Sequence, residues 1–375
     1  KDLYKDYFLF GSACEAISHW NINLSEIGNP SKEALILKEY NSITFGNELK
    51  PEYNMGYNSA DATETNLPFV IDSSAKEMLD WAKSNNMKVR GHVLVWHSQT
   101  PEFFFHENYD VNKPFVNKAT MNAREEWYIK TVLKCVDDWE KANGYRAIWA
   151  WDVVNEAYED NGSPRQPGKY EDYNGSSAWV KIFGDNSFIP PAFEYARKYA
   201  RKTTKLYYND YNEYAQKQDV IIKMAQELHE KGWLDGIGLQ SHLDVRRSVN
   251  DAYPSVFIYE SALKKYAESG LDIQITELDA TLDEKCLDEA GFKEQAAYYK
   301  GIMDALRPAV AGLIAAAAVI LTFDVDLQGI SVIKDNFPDW KAWALFGASL
   351  CAGLFTKLNP VLLILAGGVA GLLLF

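Results

Sequence analysis

Short hydrophobic runs recur along the first 300 residues, and each run ends on polar residues and is followed by an amphipathic segment. These runs predict seven β-strands, at residues 7–11, 42–47, 88–97, 147–156, 205–210, 236–242 and 272–277. Periodicity near 3.6 residues predicts helices between them, at residues 73–86, 121–142, 192–202, 216–231, 255–268 and 289–305. Nearly continuous hydrophobic strands that alternate with helices are typical of a parallel sheet covered by helices.

Seven strand–helix units are more than a doubly wound half-fold usually contains, and they approach the eight units of a (β/α)8 TIM barrel. The length of 375 residues fits one barrel as well as two domains of about 150 residues. Barrel strands all point the same way, so the residues that follow them converge on one rim, where barrel enzymes have their chemistry. Five successive strands end in suitable side chains: His92, Trp96 and His97; Asn155 and Glu156; Asn209 and Asp210; Gln240 and His242; Glu277 and Asp279.

Composition narrows the range of functions. With 47% hydrophobic and 24% charged residues the chain is globular rather than disordered. A net charge of −14 argues against nucleic acid and anionic membrane surfaces as partners, because either would need a basic face. The four cysteines form no CxxC pair, the six histidines show no metal spacing, and no dinucleotide or phosphate motif is present. We therefore expect no cofactor and no metal.

The last 70 residues differ in character from the rest. Hydrophobic stretches cover residues 309–323, 342–355 and 360–375, each shorter than the roughly 20 residues of a membrane-spanning helix. These stretches could form part of a buried core or pack together as membrane helices, and the sequence leaves both interpretations open. The sequence thus predicts a barrel over residues 1–305 and a hydrophobic C-terminal segment over residues 306–375, through which alone a membrane association would arise.

Glu156 and Glu277 each follow a strongly hydrophobic strand and are flanked by hydrogen-bonding side chains. Two carboxyl groups over a groove with tryptophans are what cleavage of a glycosidic bond requires. One carboxyl must stay protonated to give a proton to the leaving oxygen, and the other must stay ionised to attack or stabilise the anomeric carbon.

Four segments in register resemble the family 10 glycoside hydrolases. They are ITFGNELKP at 43–51, RGHVLVWH at 90–97, WDVVNEA at 151–157 and ITELD at 275–279, and the resemblance runs from about residue 5 to residue 305. It implies a (β/α)8 barrel and endo-1,4-β-xylanase activity with retention of configuration. Xylan and xylo-oligosaccharides would then be the partners of this chain.

The resemblance also implies roles for individual residues. Glu156 corresponds to the general acid/base and Glu277 to the nucleophile. His242 corresponds to the histidine that hydrogen-bonds the nucleophile, with Asp279 orienting its imidazole, and Asn155 to the residue that contacts the sugar 2-hydroxyl. The positions that hold sugars on the non-reducing side of the cut correspond to Asn47, Lys50, His92, Trp96 and Gln240.

Other prominent side chains are expected to be structural. Glu48 is predicted to be a structural partner of a neighbouring strand, and His97 is expected to support the site rather than to act in catalysis. Trp149 and Trp151 flank the strand before Glu156 and are expected in the core.

The chain departs from the family pattern in two places. Gly46 stands where many members carry a glutamate directly before Asn47, which affects a distal sugar contact. After Asp304 the resemblance stops, and the nearest candidate for an eighth strand, residues 321–325, lacks the expected tryptophan. Residues 306–317 and 357–365 instead resemble the end of a chromate-transporter half. The eighth strand and its helix are therefore atypical or replaced by the tail: an improvised strand, an open barrel and a junction of two unrelated genes all remain open.

Three hypotheses for function follow. The first is a soluble endo-1,4-β-xylanase, and the second is an impaired or non-catalytic xylan-binding barrel that lacks its last strand and tryptophans. The third is a membrane-tethered chimera without assayable activity. No signal peptide is visible at the start of the chain, as in a mature secreted domain, and we expect the catalytic part to be extracellular.

Overall fold

The computed structural model describes residues 8–16, 25–55, 62–69, 71–172, 175–247 and 251–322, with side chains for all of these except 246, 247, 251, 252 and 307–322. The chain divides into two units, residues 1–306 and 307–375.

Seven parallel strands form the central sheet of the first unit. Their bounds are β1 Gly11–Cys14, β2 Ser42–Phe45, β3 Lys88–Trp96, β4 Ile148–Asn155, β5 Lys205–Asp210, β6 Gly236–Leu239 and β9 Asp272–Ile275. Each strand pairs with the following strand of this sheet, in the order β1-β2-β3-β4-β5-β6-β9. The predicted α/β class with a parallel sheet is confirmed.

A second, three-stranded sheet continues beyond the ends of β6 and β9. It consists of β7 His242–Arg247, β8 Asp251–Tyr253 and β10 Asp279–Thr281, in the order β10-β7-β8. The sequence patterns did not predict this sheet. The backbone turns at Ser241, whose φ of 61° lies in the left-handed region, so the predicted strand 236–242 divides into β6 and β7.

Helices connect successive strands of the sheet. They are α1 Pro30–Glu39, α2 Pro51–Asn54, α3 Ser73–Ser84, α4 Lys118–Asn143, α5 Ala178–Phe183, α6 Ile189–Tyr199, α7 Gln218–Glu230, α8 Val256–Ala267 and α9 Glu289–Thr322. Local signals define their ends: Asn117 accepts a hydrogen bond from the Thr120 amide at the start of α4, and Gly144 closes that helix with a φ of 60°.

The first predicted strand was misplaced. Residues 7–11 are hydrophobic, but β1 begins at Gly11, and Phe8 and Phe10 before it remain 43% and 42% exposed. Pairing with β2 selects the small residues Gly11–Cys14 instead. A hydrophobic run forms a buried strand only when another element covers it. The position of a strand is therefore ambiguous when it is predicted from a short run alone.

The predicted C-terminal strand also differs from the structure. The helix predicted at 289–305 continues as α9 to Thr322, so residues 321 and 322 of the proposed eighth strand are helical. Residues 323–325 and the hydrophobic stretches at 342–355 and 360–375 lie outside the described residues. Among the helices that the structure describes, none combines the length and hydrophobicity needed to cross a membrane.

Close packing between β3 and β4 sets the position of the β4 end. A Cβ atom on Gly91 would lie 2.4 Å from the ring of Trp151, so only glycine lets this buried tryptophan cross β3. Beside it, the buried Asp152 accepts hydrogen bonds from Arg90 Nε at 3.2 Å and is 3.0 Å from His92 Nδ1. The core prediction is confirmed for Trp151, whereas Trp149 is only partly buried.

Candidate active site

The carboxyl ends of β4, β5, β6 and β9 bring the predicted glutamates to one rim. Glu156 follows Asn155 at the end of β4 with a φ of 54°, and its amide donates to the Asn209 carbonyl at 2.9 Å. Glu277 follows β9, and its amide donates to the Gln240 carbonyl at 3.1 Å. Both side chains are therefore positioned by backbone hydrogen bonds that continue the sheet beyond its strands.

Two asparagine side chains link the glutamates. The Asn209 amide donates to Asn155 Oδ1 at 3.0 Å and to Glu277 Oε1 at 2.8 Å. The Asn155 amide in turn donates to Glu156 Oε1 at 3.1 Å. Thr276 donates its hydroxyl to Asn209 Oδ1 at 2.7 Å, which fixes the orientation of the amide that donates. The two carboxyl groups thus belong to one hydrogen-bonded site.

Glu156 accepts hydrogen bonds from neutral donors, with the Arg165 cation 3.9 Å away. Trp96 Nε1 donates to Oε2 at 3.0 Å and Gln240 Nε2 donates to Oε1 at 2.8 Å, and the side chain keeps 15% exposure. Burial raises the pKa of Glu156 and the charge of Asp210 adds to this, outweighing both hydrogen bonds and the charge of Arg165. The protonated form is therefore favoured relative to an ordinary glutamate.

Glu277 has a charged partner instead. His242 Nε2 lies 3.1 Å from Oε2, and its Nδ1 lies 2.8 Å from Asp279 Oδ2. These hydrogen bonds, to Asp279 first and then to Glu277, raise the pKa of His242 to about 10, so the imidazole is a cation at neutral pH and donates from both nitrogens. Burial alone would raise the pKa of Glu277, but the His242 hydrogen bond and the charges of His92 and His242 lower it to about 2.

A polar cluster lies beside the glutamates on the β2 and β3 side. Lys50 Nζ donates to Asn47 Oδ1 at 2.8 Å and to Gln99 Oε1 at 2.7 Å, and it lies 5.3 Å from the centre of the Trp96 ring. The His92 and Trp96 rings are in a T-shaped arrangement, with their centres 5.9 Å apart. The predicted sugar-contact residues Asn47, Lys50, His92, Trp96 and Gln240 therefore lie at the same rim as the glutamates.

A cleft of about 300 Å³ opens on the Glu156 side of the rim. Its walls include Glu156, Gln240, His242 and His97 together with three residues that the sequence patterns did not indicate: Arg165, Tyr170 and Tyr211. The Arg165 guanidinium donates to the Glu156 carbonyl and, at 3.0 Å, to the Tyr211 hydroxyl.

His97 supports this cleft as a neutral ring. Burial and the nearby Arg165 charge hold the pKa of His97 well below its usual value, and its ring lies 5.7 Å from that of Tyr170. Gln99 and Arg165 were also missed as site residues, whereas Asn209 was predicted at the rim as a strand-end residue without an assigned role. Gln99 and Arg165 are brought to the rim by contacts with Lys50 and Tyr211, which are distant in sequence and which no local pattern reports.

The structural prediction for Glu48 is confirmed. Its carboxylate is fully buried and accepts hydrogen bonds from the Ala16 amide at 2.8 Å and the Asn47 amide at 3.1 Å. Within the described parts of the chain, no three His, Cys, Asp or Glu side chains converge in a way that could hold a metal ion.

Comparisons with known proteins agree with this geometry. The sequence model of glycosyl hydrolase family 10 matches residues 1–319. The chain belongs to glycosyl hydrolase family 10. Its fold is accordingly that of a (β/α)8 barrel, of which the described residues contribute seven strands of the barrel sheet. The chromate transporter model matches residues 289–372, which agrees with the resemblance noted for the tail.

Two of the similar proteins are named as xylanases. The chain is 40% identical over 313 residues to endo-1,4-β-xylanase Y of Acetivibrio thermocellus, covering 81% of this chain and 27% of that protein. It is 38% identical to a putative endo-1,4-β-xylanase of Caldicellulosiruptor saccharolyticus, covering 69% and 79%. The chain thus spans only about a quarter of the length of the first of these relatives.

Solved structures resemble the fold closely. One holds the CBM22-1 and family 10 modules of Clostridium thermocellum endo-1,4-β-D-xylanase 10B with xylohexaose: the TM-score is 0.71 at 39% identity, over 82% of this chain and 57% of that one. Another is an intracellular xylanase of Thermoanaerobacterium saccharolyticum, with a TM-score of 0.65 at 30% identity over 81% and 83%.

Proposed function

We propose that this family 10 chain is an endo-1,4-β-xylanase that hydrolyses xylan with retention at the anomeric carbon. The observation that carries the proposal is the opposite tuning of two glutamates in one hydrogen-bonded site: the pKa of Glu156 is raised and that of Glu277 is lowered to about 2. A protonated acid beside an ionised carboxylate is the pair that glycoside hydrolysis requires.

In the first step the Glu277 carboxylate attacks the anomeric carbon while Glu156 gives its proton to the glycosidic oxygen. The carbon–oxygen bond breaks, the leaving sugar departs with the proton as a hydroxyl group, and a covalent glycosyl-enzyme remains on Glu277. We assign to Asn155 the hydrogen bond to the 2-hydroxyl of the sugar; its position between Glu156 and Asn209, at the centre of the catalytic pair, supports this role.

In the second step Glu156, now ionised, takes a proton from water, and the resulting hydroxide equivalent attacks the anomeric carbon. The bond to Glu277 breaks, so both carboxyl groups return to their starting states. Two displacements at the same carbon give overall retention. His242, held by Asp279, keeps Glu277 ionised and stabilises it as a leaving group.

The two sides of the rim would hold different parts of the chain. Asn47, Lys50 and Trp96, with Gln99 beside them, offer donors and an aromatic face for sugars on the non-reducing side. His92 and Gln240 complete that set. The cleft walled by Arg165, Tyr170 and Tyr211 would receive the leaving part. Relatives solved with xylohexaose and xylotetraose support xylan as the substrate class.

Wild type, Glu156→Ala and Glu277→Ala are compared for reducing sugar released from xylan, and proton NMR follows the anomer first formed by the wild type. We expect activity in the wild type alone and a β-anomer as the first product. Equal activity in all three proteins, or an α-anomer, would contradict the proposal.

A non-catalytic xylan-binding barrel is the second candidate. It is favoured by α9, which continues to Thr322 where an eighth strand was expected. This candidate predicts that xylohexaose binds in calorimetry without being cleaved. Any turnover that is abolished by Glu277→Ala removes it.

We infer that the catalytic part acts outside the cell, because a polymer such as xylan does not cross a membrane intact, although one structural relative is described as intracellular. Xylanase activity in the medium of an expressing culture, with little in washed cells, is the expected result. A membrane-tethered form would instead retain the full chain in the membrane fraction until detergent is added.

A further inference from the structure

Glu15 and Gly46 lie side by side at the ends of two paired strands. Glu15 follows β1, Gly46 follows β2, and the Gly46 amide donates to the Cys14 carbonyl at 2.9 Å. The Glu15 carbonyl accepts hydrogen bonds from the Glu26 and Ile27 amides at 3.1 and 3.0 Å. The Glu15 backbone is thus fixed, and its side chain starts from a defined place at the rim.

The side chain of Glu15 occupies the space that a side chain at position 46 would need. A Cβ atom on Gly46 would lie 2.6 Å from Glu15 Cγ and 2.8 Å from its Oε1, well inside van der Waals contact. A carboxylate from β1 therefore stands where the neighbouring strand carries only a hydrogen atom.

This carboxylate contacts the polar cluster at the rim. Glu15 Oε1 accepts a hydrogen bond from the Asn47 amide, whose own oxygen accepts from Lys50. Burial lowers the pKa of Lys50, and the charges of Glu277, Glu15 and Glu156 act in the opposite direction. Glu15 is thus electrostatically coupled to the same ammonium as the two glutamates of the catalytic pair.

We propose that Glu15 is a specificity-determining residue, whose carboxylate accepts a hydrogen bond from a hydroxyl group of the second xylose unit on the non-reducing side of the cut. It also orients Asn47 for the same sugar. The inference rests on the proposed xylanase function and deepens it, because it assigns to β1 a sugar contact that Gly46 on β2 has no atoms to make.

The test compares two chromogenic substrates, 4-nitrophenyl β-xyloside and 4-nitrophenyl β-xylobioside, which differ only in that second unit. A hydrogen bond to a charged group contributes about 1.5–3 kcal/mol, which corresponds to roughly a 10- to 100-fold change. We expect Glu15→Ala to lower the ratio of kcat/KM for the xylobioside to kcat/KM for the xyloside by about that factor. The isosteric Glu15→Gln, which preserves the fold, should lower it less.

Moving the carboxylate to the other strand provides the rescue. Glu15→Ala combined with Gly46→Glu restores a carboxylate to the vacated space, and we expect it to recover most of the ratio, whereas Glu15→Ala with Gly46→Gln should not. The exposed Glu52 on α2 gives the matched control, because Glu52→Ala removes the same charge without touching the cluster.

Three results would overturn the inference. A ratio unchanged in Glu15→Ala, a ratio lowered equally by Glu52→Ala, or a Gly46→Gln rescue as complete as that of Gly46→Glu would each show that this carboxylate is not a sugar contact. A wild type that cleaves neither chromogenic substrate nor xylan would instead overturn the proposed function, and this inference with it.

Discussion

The ends of β4 and β9 present the same side chain in two different electrostatic settings. Glu156 after β4 and Glu277 after β9 both lie at the rim, retain 15% and 30% exposure, and are joined through Asn155 and Asn209. Yet the pKa of Glu156 is raised and the pKa of Glu277 falls to about 2.

The partners make the difference. Burial raises the pKa at both positions. Glu156 receives hydrogen bonds from the uncharged Trp96 and Gln240, and the Arg165 cation stays 3.9 Å away, whereas Glu277 is hydrogen-bonded to the His242 cation. A neutral donor stabilises an ionised carboxylate less than a cation does at the same distance. The chemical role of each glutamate is therefore set by the side chains that hydrogen-bond it.

Removing Glu277 should give the largest effect. We expect Glu277→Ala to lower kcat on xylan by about 10⁴-fold or more, because no other carboxylate can form the covalent intermediate. Sodium azide added to this variant would attack from the vacated side, and NMR should show an α-xylosyl azide. A β-xylosyl azide would mean that Glu277 is the acid/base rather than the nucleophile.

Glu156→Ala should cost less and depend on the leaving group. Loss of the acid is expected to lower kcat on xylan by about 10²- to 10⁴-fold. Cleavage of 2,4-dinitrophenyl β-xylobioside should suffer much less, since that leaving group needs no proton. Azide should now give a β-xylosyl azide, and equal losses on both substrates would contradict an acid role.

Replacing His242 should make the β9 end resemble the β4 end. In His242→Gln the pKa of Glu277 rises, because the carboxyl group remains buried while the cation beside it is gone. We expect the acid limb of kcat/KM against pH to move up by about one to three pH units while the alkaline limb, set by Glu156, moves little. An unchanged acid limb would exclude His242 as the cause of the low pKa.

The same pair should affect stability over a defined range of pH. The pKa of Glu277 is lowered from 4.5 to about 2, so its contribution to the free energy of unfolding is present above pH 4.5 and is lost as the pH falls through 2. The pKa of His242 is raised from 6.5 to about 10, so its contribution is present below pH 6.5 and is lost as the pH rises through 10. The difference in Tm between wild type and His242→Gln should therefore be largest between pH 4.5 and 6.5, and a difference independent of pH would contradict this.

Trp96→Phe should have the smallest effect on the comparison. It removes the indole hydrogen bond that lowers the pKa of Glu156, so the alkaline limb should move to higher pH and kcat/KM should fall about tenfold. Trp149→Phe, on the adjacent strand β4, is the matched control, since the Trp149 Nε1 has no hydrogen-bond partner. A similar shift in both variants would assign the effect to packing rather than to this bond.

Local sequence patterns predicted much of the architecture. The strand at 205–210 coincides with β5, and the helix at 289–305 begins where α9 begins. The errors arose where distant contacts decide: pairing with β2 moved the first strand to Gly11–Cys14, and the turn at Ser241 divided the sixth. The small sheet of β7, β8 and β10 forms between segments that have no common pattern.

The sequence by itself determined the order of strands and helices and the polar side chains that end each strand, because hydrophobic periodicity and strand-end residues are local properties of the chain. Only the tertiary structure decided which glutamate is hydrogen-bonded by Trp96 and Gln240 and which by the His242 cation. It alone also placed Glu15 against Gly46, 31 positions away. Electrostatic and steric energies depend on distances in space, and those are created only when β1, β2, β4 and β9 come together.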